Sequence, residues 1–204
     1  MNIMTYLWLA IIFVLSYLIG SVNTSIIVGK CLAGTDIRQH GSGNAGATNA
    51  LRTLGKKAGI LVIVGDCLKA VIAVIIAMLI LPVQPLAVYC AGIGAVLGHN
   101  FPLYFKFKGG KGILVSMVAM LFADWQIALI VIVFSVFIIA LTRYVSLGSV
   151  LGALAFILLS VILRSGDWAL IVFALFMGSL AIFMHRANIK RLLNGTENKL
   201  GQKK

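Results

Sequence analysis

The chain has 204 residues, of which 61% are hydrophobic and only 11% are charged, whereas charged residues make up roughly a quarter of an ordinary soluble domain. Its formal net charge is +12. A nucleic-acid binder concentrates such charge on a soluble surface, but a mean hydropathy of +1.09 indicates that this chain has little soluble surface. Composition therefore excludes a soluble nucleic-acid-binding protein and predicts one integral membrane domain over 1–204.

Apolar stretches follow one another along the chain and predict an all-α, polytopic protein with seven transmembrane helices. The first is expected to be one continuous helix rather than a removed leader. The third and fourth would be only about 20 Å long as helices, so we expect partial crossings of the roughly 30 Å hydrocarbon layer. In chain order the stretches are 4–29, 58–81, 86–99, 112–123, 126–142, 147–163 and 167–184.

Basic residues fall mainly on one side of the membrane if these seven helices alternate in direction. Of the basic residues in the connections, only Arg164 falls on the other side. The positive-inside rule therefore predicts an outside N-terminus and a cytoplasmic C-terminus. The polar tail, 190–204, is expected to fray.

Asp66 and Lys69 are three residues apart within the second predicted helix, so they share one helical face. Ionisable groups inside a membrane segment are either paired with one another or part of a functional site. The sequence leaves both interpretations open.

A glycine-rich first loop, HGSGNAGATN at 40–49, follows the first helix. Closely spaced glycines let backbone N–H groups converge on an anion, and hydroxyl and amide side chains add donors. We expect a phosphate site here, the alternative being a tight turn with capping side chains. Its expected ligands are Ser42, Gly43, Asn44, Thr48 and Asn49.

A second loop, GHNFPLYFKFKGGKG at 98–112, lies between the two short helices. Gly109, Gly110 and Gly112 precede a helix, where backbone donors and the positive helix end favour an anion. Lys111 would supply a point charge. The alternative is a lysine cluster that touches anionic lipid heads.

Two further connections carry polar side chains on the predicted cytoplasmic side, RYVSLGS at 143–149 and HRANIKRLLNGTE at 185–197. His185 and Asn188 are three apart, so a helix would place both on one face. The four loops together favour a site for phosphorylated ligands. Whether they form one site stays open.

Metal chemistry is not indicated by the sequence. The acidic residues are scattered, no HExxH motif occurs, and the three cysteines lack CxxC spacing. We therefore expect no metal and no cofactor, and catalysis by holding anions, positioning reactants and stabilising developing charge.

These motifs resemble those of the PlsY family, bacterial membrane acyltransferases that move a fatty acyl group from acyl-phosphate to glycerol 3-phosphate. The resemblance implies seven helices, a cytoplasmic active site in the bacterial inner membrane, and lysophosphatidic acid and inorganic phosphate as products. Neither acyl-CoA nor acyl-carrier protein would be the donor. The matching stretches are 41–59, 98–112, 143–149 and 185–197.

The resemblance also implies roles for individual residues. Arg52 joins Ser42 and the other expected phosphate ligands, with Gly109–Gly112 as a phosphate cradle. The implied catalytic residues are Lys111, Ser146, His185 and Asn188. Independently of the resemblance, we expect His99, Asp66, Lys69 and Glu197 as supporting residues.

Two residues depart from the pattern of many family members. Asn23 stands where many have proline, and Ala70 where many have glycine. Both lie outside the strongest motifs, so they question local helix packing rather than activity.

The expected partners are acyl-phosphate, glycerol 3-phosphate and membrane lipid, without nucleic acid, and the chain is expected to be a monomer. The attacking hydroxyl must lose a proton, which His185, His99 or a substrate phosphate could accept; the lack of a Ser-His-Asp or Cys-His arrangement favours the phosphate. The alternative functions are a transporter for a phosphorylated small anion and a scaffold anchored to anionic lipid.

Overall fold

The computed structural model describes residues 2–201, which contain helices and connections and no β-strand. The predicted all-α class is confirmed, and each of the seven apolar stretches is mainly helical. The α-helices are α1 Ile3–Gly20, α2 Thr24–Ala33, α3 Ala47–Leu54, α4 Lys56–Ile80, α5 Pro85–Asn100, α6 Ile113–Ala123, α7 Trp125–Thr142, α8 Val145–Leu163, α9 Trp168–Met184 and α10 Arg186–Leu193.

Several helical segments are long and apolar enough to cross a membrane, so the chain is a polytopic membrane protein. A further span results if α9 and α10, which meet at a bend of 58°, are counted as one. Helix α6 has only 11 residues, about 16 Å, which suits a partial crossing. The full-length spans are Ile3–Ala33, Lys56–Ile80, Pro85–Phe105, Trp125–Thr142 and Val145–Leu163.

The third apolar stretch is longer than expected, because α5 and the short helical turn Leu103–Phe105 form one span of 21 residues. The partial crossing predicted at 86–99 is therefore wrong in length, whereas α6 fits its prediction. A total of seven crossings and their orientation stay predictions.

The described residues form two compact units, one that ends at Phe122 and one that begins at Ala123. The single domain over 1–204 stays a prediction.

In the first unit, the helix expected to be continuous over 4–29 is broken at Ser21–Asn23, so that prediction is wrong in detail. The Asn23 side chain caps α2 by accepting from the Ile26 N–H over 3.2 Å. Gly20 lies so close to α5 that an added Cβ would meet the backbone of Ala95. The N-cap preference of asparagine was the available signal in the sequence.

In the second unit, α8 packs against both α7 and α9 through small and aromatic residues. Gly152 lies against the Ser135 side chain of α7. Phe156 meets Phe173 of α9 edge-on, with ring centroids 6.2 Å apart. Ser146 lies in the first turn of α8, on a helix rather than in the predicted turn.

Candidate active site

The first loop is folded around the side chain of Asn49, which is only 1% exposed. Its Oδ1 accepts from the Ser42 N–H over 2.9 Å. Its Nδ2 donates to the carbonyls of Ile37, at 3.1 Å, and His40, at 3.0 Å. The Asn49 side chain therefore stabilises the fold of the loop. Phosphate binding by this side chain stays a prediction.

Some of the other expected phosphate ligands lie in the first loop itself, and the rest lie on the helix that follows it. Ser42 and Gly43 are exposed in the loop, and Gly43 has a positive φ of 71°. Thr48 and Arg52 are half-buried on α3, one helical turn apart, so they share one face. Asn44 is half-buried in the loop just before this helix.

Arg38 links the first loop to the second. Its guanidinium pairs with Asp36, with NH2 and Oδ2 2.6 Å apart, and its NH1 donates to the carbonyls of Phe105, at 2.9 Å, and Lys108, at 3.0 Å. The hydrogen bond from Arg38 lowers the pKa of the Asp36 carboxyl, and the bond to Asp36 raises the pKa of Arg38. The sequence suggested only a topological charge at Arg38, because its carbonyl partners lie far along the chain.

The glycines of the second loop dock it onto the end of α5. The Gly109 N–H donates to Asn100 O over 3.2 Å and the Gly110 N–H to His99 O over 3.1 Å. An added Cβ on Gly110 would meet the His99 ring and, at 2.5 Å, the Ala45 carbonyl oxygen. Glycine is therefore required at this position by close packing.

The Gly109 and Gly110 N–H groups both donate to carbonyl oxygens of the protein. The predicted phosphate cradle would therefore need donors that follow them in the same segment. Lys111 is half-buried, and Gly112 is buried with a positive φ of 73°, directly before α6. Binding of a phosphate by Gly109, Gly110 and Gly112 stays a prediction.

The pairing expected between Asp66 and Lys69 is present within α4 and extends to α5. Lys69 Nζ lies 3.0 Å from Asp66 Oδ1. The same nitrogen lies 2.9 Å from His99 Nδ1 and donates to the Val22 carbonyl over 2.8 Å. Three supporting residues named from the sequence therefore form one buried cluster.

In the second unit, Glu197 brings together two of the expected catalytic residues. Its Oε1 accepts from Ser146 Oγ over 3.0 Å and from Asn188 Nδ2 over 2.7 Å. Its Oε2 accepts from Arg191 Nε over 2.7 Å. Burial raises the pKa of Glu197, but the hydrogen bonds from Asn188, Arg191 and Ser146 outweigh it and hold that pKa below its ordinary value.

His185 is buried at the bend between α9 and α10, 3% exposed. Its Nδ1 lies 2.8 Å from the Ala181 carbonyl oxygen. Because a carbonyl oxygen only accepts, Nδ1 carries the proton in the neutral ring, and Nε2 is the nitrogen with the lone pair. Asn188 lies in the first turn of α10, directly after this bend.

The chain after α10 is held to Arg143 by hydrogen bonds, within the segment that was expected to fray. The Leu200 N–H donates to Arg143 O over 2.7 Å, and Arg143 NH2 donates back to Leu200 O over 2.8 Å. This reciprocal pair fixes the segment that carries Glu197. Residues 202–204 of the predicted frayed tail lie outside the described residues.

Over residues 2–201, no group of three or more His, Cys, Asp or Glu side chains is placed to hold a metal ion. The three cysteines, Cys31, Cys67 and Cys90, are not joined in disulfides.

Comparison with known proteins agrees with the motifs. The family model described as glycerol-3-phosphate acyltransferase matches residues 10–195. The chain belongs to the PlsY-type glycerol-3-phosphate acyltransferase family. Among its relatives, the glycerol-3-phosphate acyltransferase of Clostridioides difficile (strain 630) is 48% identical over 208 residues, covering 100% of both chains. That of Bacillus subtilis (strain 168) is 45% identical and covers 94% of this chain and 97% of its own.

The fold is also similar to solved structures of this family. The crystal structure of PlsY (YgiH), an integral membrane glycerol 3-phosphate acyltransferase, in its glycerol 3-phosphate form aligns with a TM-score of 0.86 at 35% identity. It covers 95% of this chain and 96% of the solved one. The lysophosphatidic acid form of that protein aligns with a TM-score of 0.81 at 34% identity, covering 95% of each chain.

Proposed function

We propose that this chain transfers a fatty acyl group from acyl-phosphate to glycerol 3-phosphate. The products are lysophosphatidic acid and inorganic phosphate, and the reaction is the first acylation step of phospholipid biosynthesis. The observation that carries this proposal is the likeness over nearly the whole chain to solved forms of an acyltransferase named for glycerol 3-phosphate and for lysophosphatidic acid.

The reaction needs no covalent acyl-enzyme, because the mixed anhydride is already activated. A glycerol 3-phosphate hydroxyl oxygen attacks the acyl carbonyl carbon, the bond from that carbon to the phosphate oxygen breaks, and inorganic phosphate leaves with the bonding pair. The hydroxyl proton passes to a base. Binding is most useful where it stabilises the oxyanion and the departing phosphate.

Phosphate binding is assigned to residues of the first unit. Lys111 supplies a cation on the short Gly109–Gly112 segment, and Arg52 supplies one on α3. Hydroxyl, amide and backbone groups complete the set, in which Asn49, Gly109 and Gly110 hold the loops in place, because their own donors bond within the protein. Its members are Ser42, Gly43, Asn44, Thr48, Asn49, Arg52, Gly109, Gly110, Lys111 and Gly112.

Orientation of glycerol 3-phosphate is assigned to Ser146, His185 and Asn188 of the second unit. Glu197 supports this role, because one of its oxygens holds the Ser146 hydroxyl and the Asn188 amide together. His185 has its Nδ1 proton on the Ala181 carbonyl, so Nε2 has the lone pair that proton acceptance requires. The substrate phosphate is the competing acceptor.

We further propose that the chain is a monomer in the bacterial inner membrane and that its catalytic residues face the cytoplasm. The basic residues of the connections support this orientation.

The deciding experiment is synthesis of lysophosphatidic acid by the purified protein in detergent, from acyl-phosphate and labelled glycerol 3-phosphate. We expect product from the intact protein and losses of about 100-fold or more in Lys111→Ala and His185→Ala. Lys57→Ala, at an exposed position early in α4, is the matched control and should keep full activity.

A parallel reaction replaces acyl-phosphate by acyl-CoA. The proposal predicts phosphate release in step with lysophosphatidic acid, and no product from acyl-CoA. An intact protein that makes no lipid product would overturn the enzyme proposal, and equal use of acyl-CoA would overturn the donor.

A further inference from the structure

The cluster of Asp66, Lys69 and His99 is enclosed by protein, with side-chain exposures of 3%, 7% and 4%. A carboxylate in such a place requires a counter-charge. Lys69 supplies it, because its ammonium lies 3.0 Å from Asp66 Oδ1. The cluster is therefore a neutral ion pair with a histidine ring attached to it.

The ammonium of Lys69 has three N–H donors and no acceptor. Val22 O at 2.8 Å and His99 Nδ1 at 2.9 Å lie within hydrogen-bond distance of it, while Asp66 Oδ1 at 3.0 Å forms the ion pair. Because the ammonium can only donate, His99 Nδ1 must offer its lone pair. The proton of the neutral ring must then be on Nε2.

An imidazolium at His99 does not fit this geometry. It would place a protonated Nδ1 2.9 Å from the ammonium nitrogen, and this Nδ1 lies 3.6 Å from Asp66 Oδ1, too far for a strong hydrogen bond. The two buried histidines thus differ. His185 has its proton on Nδ1, whereas the surroundings of His99 require it on Nε2.

The Nε2 edge of His99 faces the Gly109–Gly112 segment. An added Cβ on Gly110 would meet Nε2 first and then the Ala45 carbonyl oxygen at 2.5 Å. The backbone of the same histidine accepts from the Gly110 N–H over 3.1 Å. The ring and the backbone of one residue therefore fix the place of the turn that precedes Lys111.

Resting on the proposed function, we propose that Lys69, with Asp66 beside it, locks His99 as the Nε2–H tautomer, and that these three residues position the Gly109–Gly112 segment for acyl transfer. His99 is a positioning residue and does not accept the hydroxyl proton. This removes one of the three proton acceptors that the sequence left open.

Two substitutions at His99 distinguish positioning from proton transfer. Glutamine places N–H donors near the position of Nε2 but accepts no proton at neutral pH, whereas alanine removes the ring. We expect His99→Ala to lose about 100-fold in kcat/KM, and His99→Gln to recover at least tenfold of that loss. A glutamine variant as inactive as the alanine variant would overturn the positioning role.

Lys69→Met removes the ammonium and keeps the length of the side chain. We expect a loss in kcat/KM of about 100-fold, like that of His99→Ala, and little further loss in the double variant, because both act through one ring. Lys57→Met, exposed on the same helix, is the matched control. If the loss in kcat/KM of the double variant equals the product of the two single losses, the two residues do not act through one ring.

The tautomer is tested without any activity measurement. The chain has three histidines, so ¹⁵N-histidine-labelled protein in detergent has few ring resonances, and His40→Gln and His185→Gln variants assign them. We expect His99 with a bare Nδ1 and a protonated Nε2. A protonated Nδ1 would overturn the inference.

The two proposals fail separately. If the intact protein makes no lysophosphatidic acid, the proposed function fails, and the NMR result still decides the tautomer. If the intact protein is active while His99→Gln and His99→Ala are equally impaired, only the further inference fails.

Discussion

The Asn188 side-chain amide donates to Glu197 over 2.7 Å, and the same carboxylate oxygen accepts from Ser146 over 3.0 Å. One acidic residue thus fixes two polar side chains that come from different helices. Arg191 occupies the second carboxylate oxygen at 2.7 Å, so the acid has a partner on each oxygen.

Replacing Glu197 by glutamine should lower both stability and activity. An amide cannot accept on both sides, and its NH₂ group would face either Asn188 or Arg191, which are donors. We expect about 2 kcal/mol less unfolding free energy and a loss in kcat/KM of about tenfold, measured by thermal unfolding in detergent and by the acyl transfer assay. The exposed Lys190→Gln is the control, and equal behaviour of the two variants would refute the role of the carboxylate.

The pH dependence of stability follows from the lowered pKa of Glu197. A carboxyl whose pKa is lower in the folded than in the unfolded protein stabilises the fold fully above the unfolded pKa, ordinarily about 4.3. That contribution is lost as the pH falls through the folded pKa. We expect the Tm of the intact protein to fall more steeply than that of Glu197→Gln between about pH 5 and pH 3. Parallel curves would contradict the prediction.

Exchange of Arg38 for lysine should weaken substrate binding, although the charge is kept. The guanidinium holds Asp36 and the carbonyls of Phe105 and Lys108 at once, and an ammonium lacks this planar fork. We expect KM for a phosphorylated substrate to rise about tenfold, or about 1.4 kcal/mol, with a smaller change in kcat. Arg164→Lys, at another arginine–aspartate pair, should leave KM unchanged; if it raises KM equally, the link between the loops is not the cause.

Removal of the Asn49 side chain should unfold the first loop locally. Asn49→Ala leaves the Ser42 N–H and the carbonyls of Ile37 and His40 without this partner. We expect a cost of about 1–3 kcal/mol in unfolding free energy and faster hydrogen exchange over the loop. The exposed Asn194→Ala should change stability by less than about 0.5 kcal/mol. Unchanged exchange in the loop would show that Asn49 does not organise it.

A methyl group at Gly98 should separate α1 from α5. An added Cβ would meet the Tyr17 carbonyl oxygen and lie 2.8 Å from the Ser21 N–H, and membrane helices pack closely through such small residues. We expect Gly98→Ala to lose about 1–3 kcal/mol of stability. Gly166→Ala, which has nothing within 4 Å of the added Cβ, should lose little. Similar unfolding temperatures for both variants would contradict the close contact.

The helical class and the apolar stretches could be predicted because hydrophobic runs of membrane length have few alternatives. The break at Ser21–Asn23 was missed although Asn23 is a favoured N-cap residue, because the apolar pattern resumes after it. The close approach of Gly20 to Ala95, far along the chain, is not visible in the sequence. A single sequence does not show which glycines face another backbone. Ser146 was expected in a turn because the predicted apolar stretch begins at residue 147, whereas α8 begins at Val145.

The residue types of the candidate site could also be predicted, but their partners could not. Asn49 was expected to face a ligand, and it bonds inward to the loop. Arg38 was seen only as a charge, although it joins two loops. In each case the deciding hydrogen bond joins atoms that folding brings together from distant positions, and residue type alone does not specify it.

The break in the first span leaves the Val22 carbonyl without a helical partner, and Lys69 of α4 donates to it over 2.8 Å. In the hydrocarbon layer, an unsatisfied carbonyl and an unpaired ammonium are both costly. Each segment would therefore expose one unsatisfied polar group if it were placed in lipid without the other. We expect the first span and α4 to remain near the insertion machinery until they meet, so that they enter the bilayer as a pair.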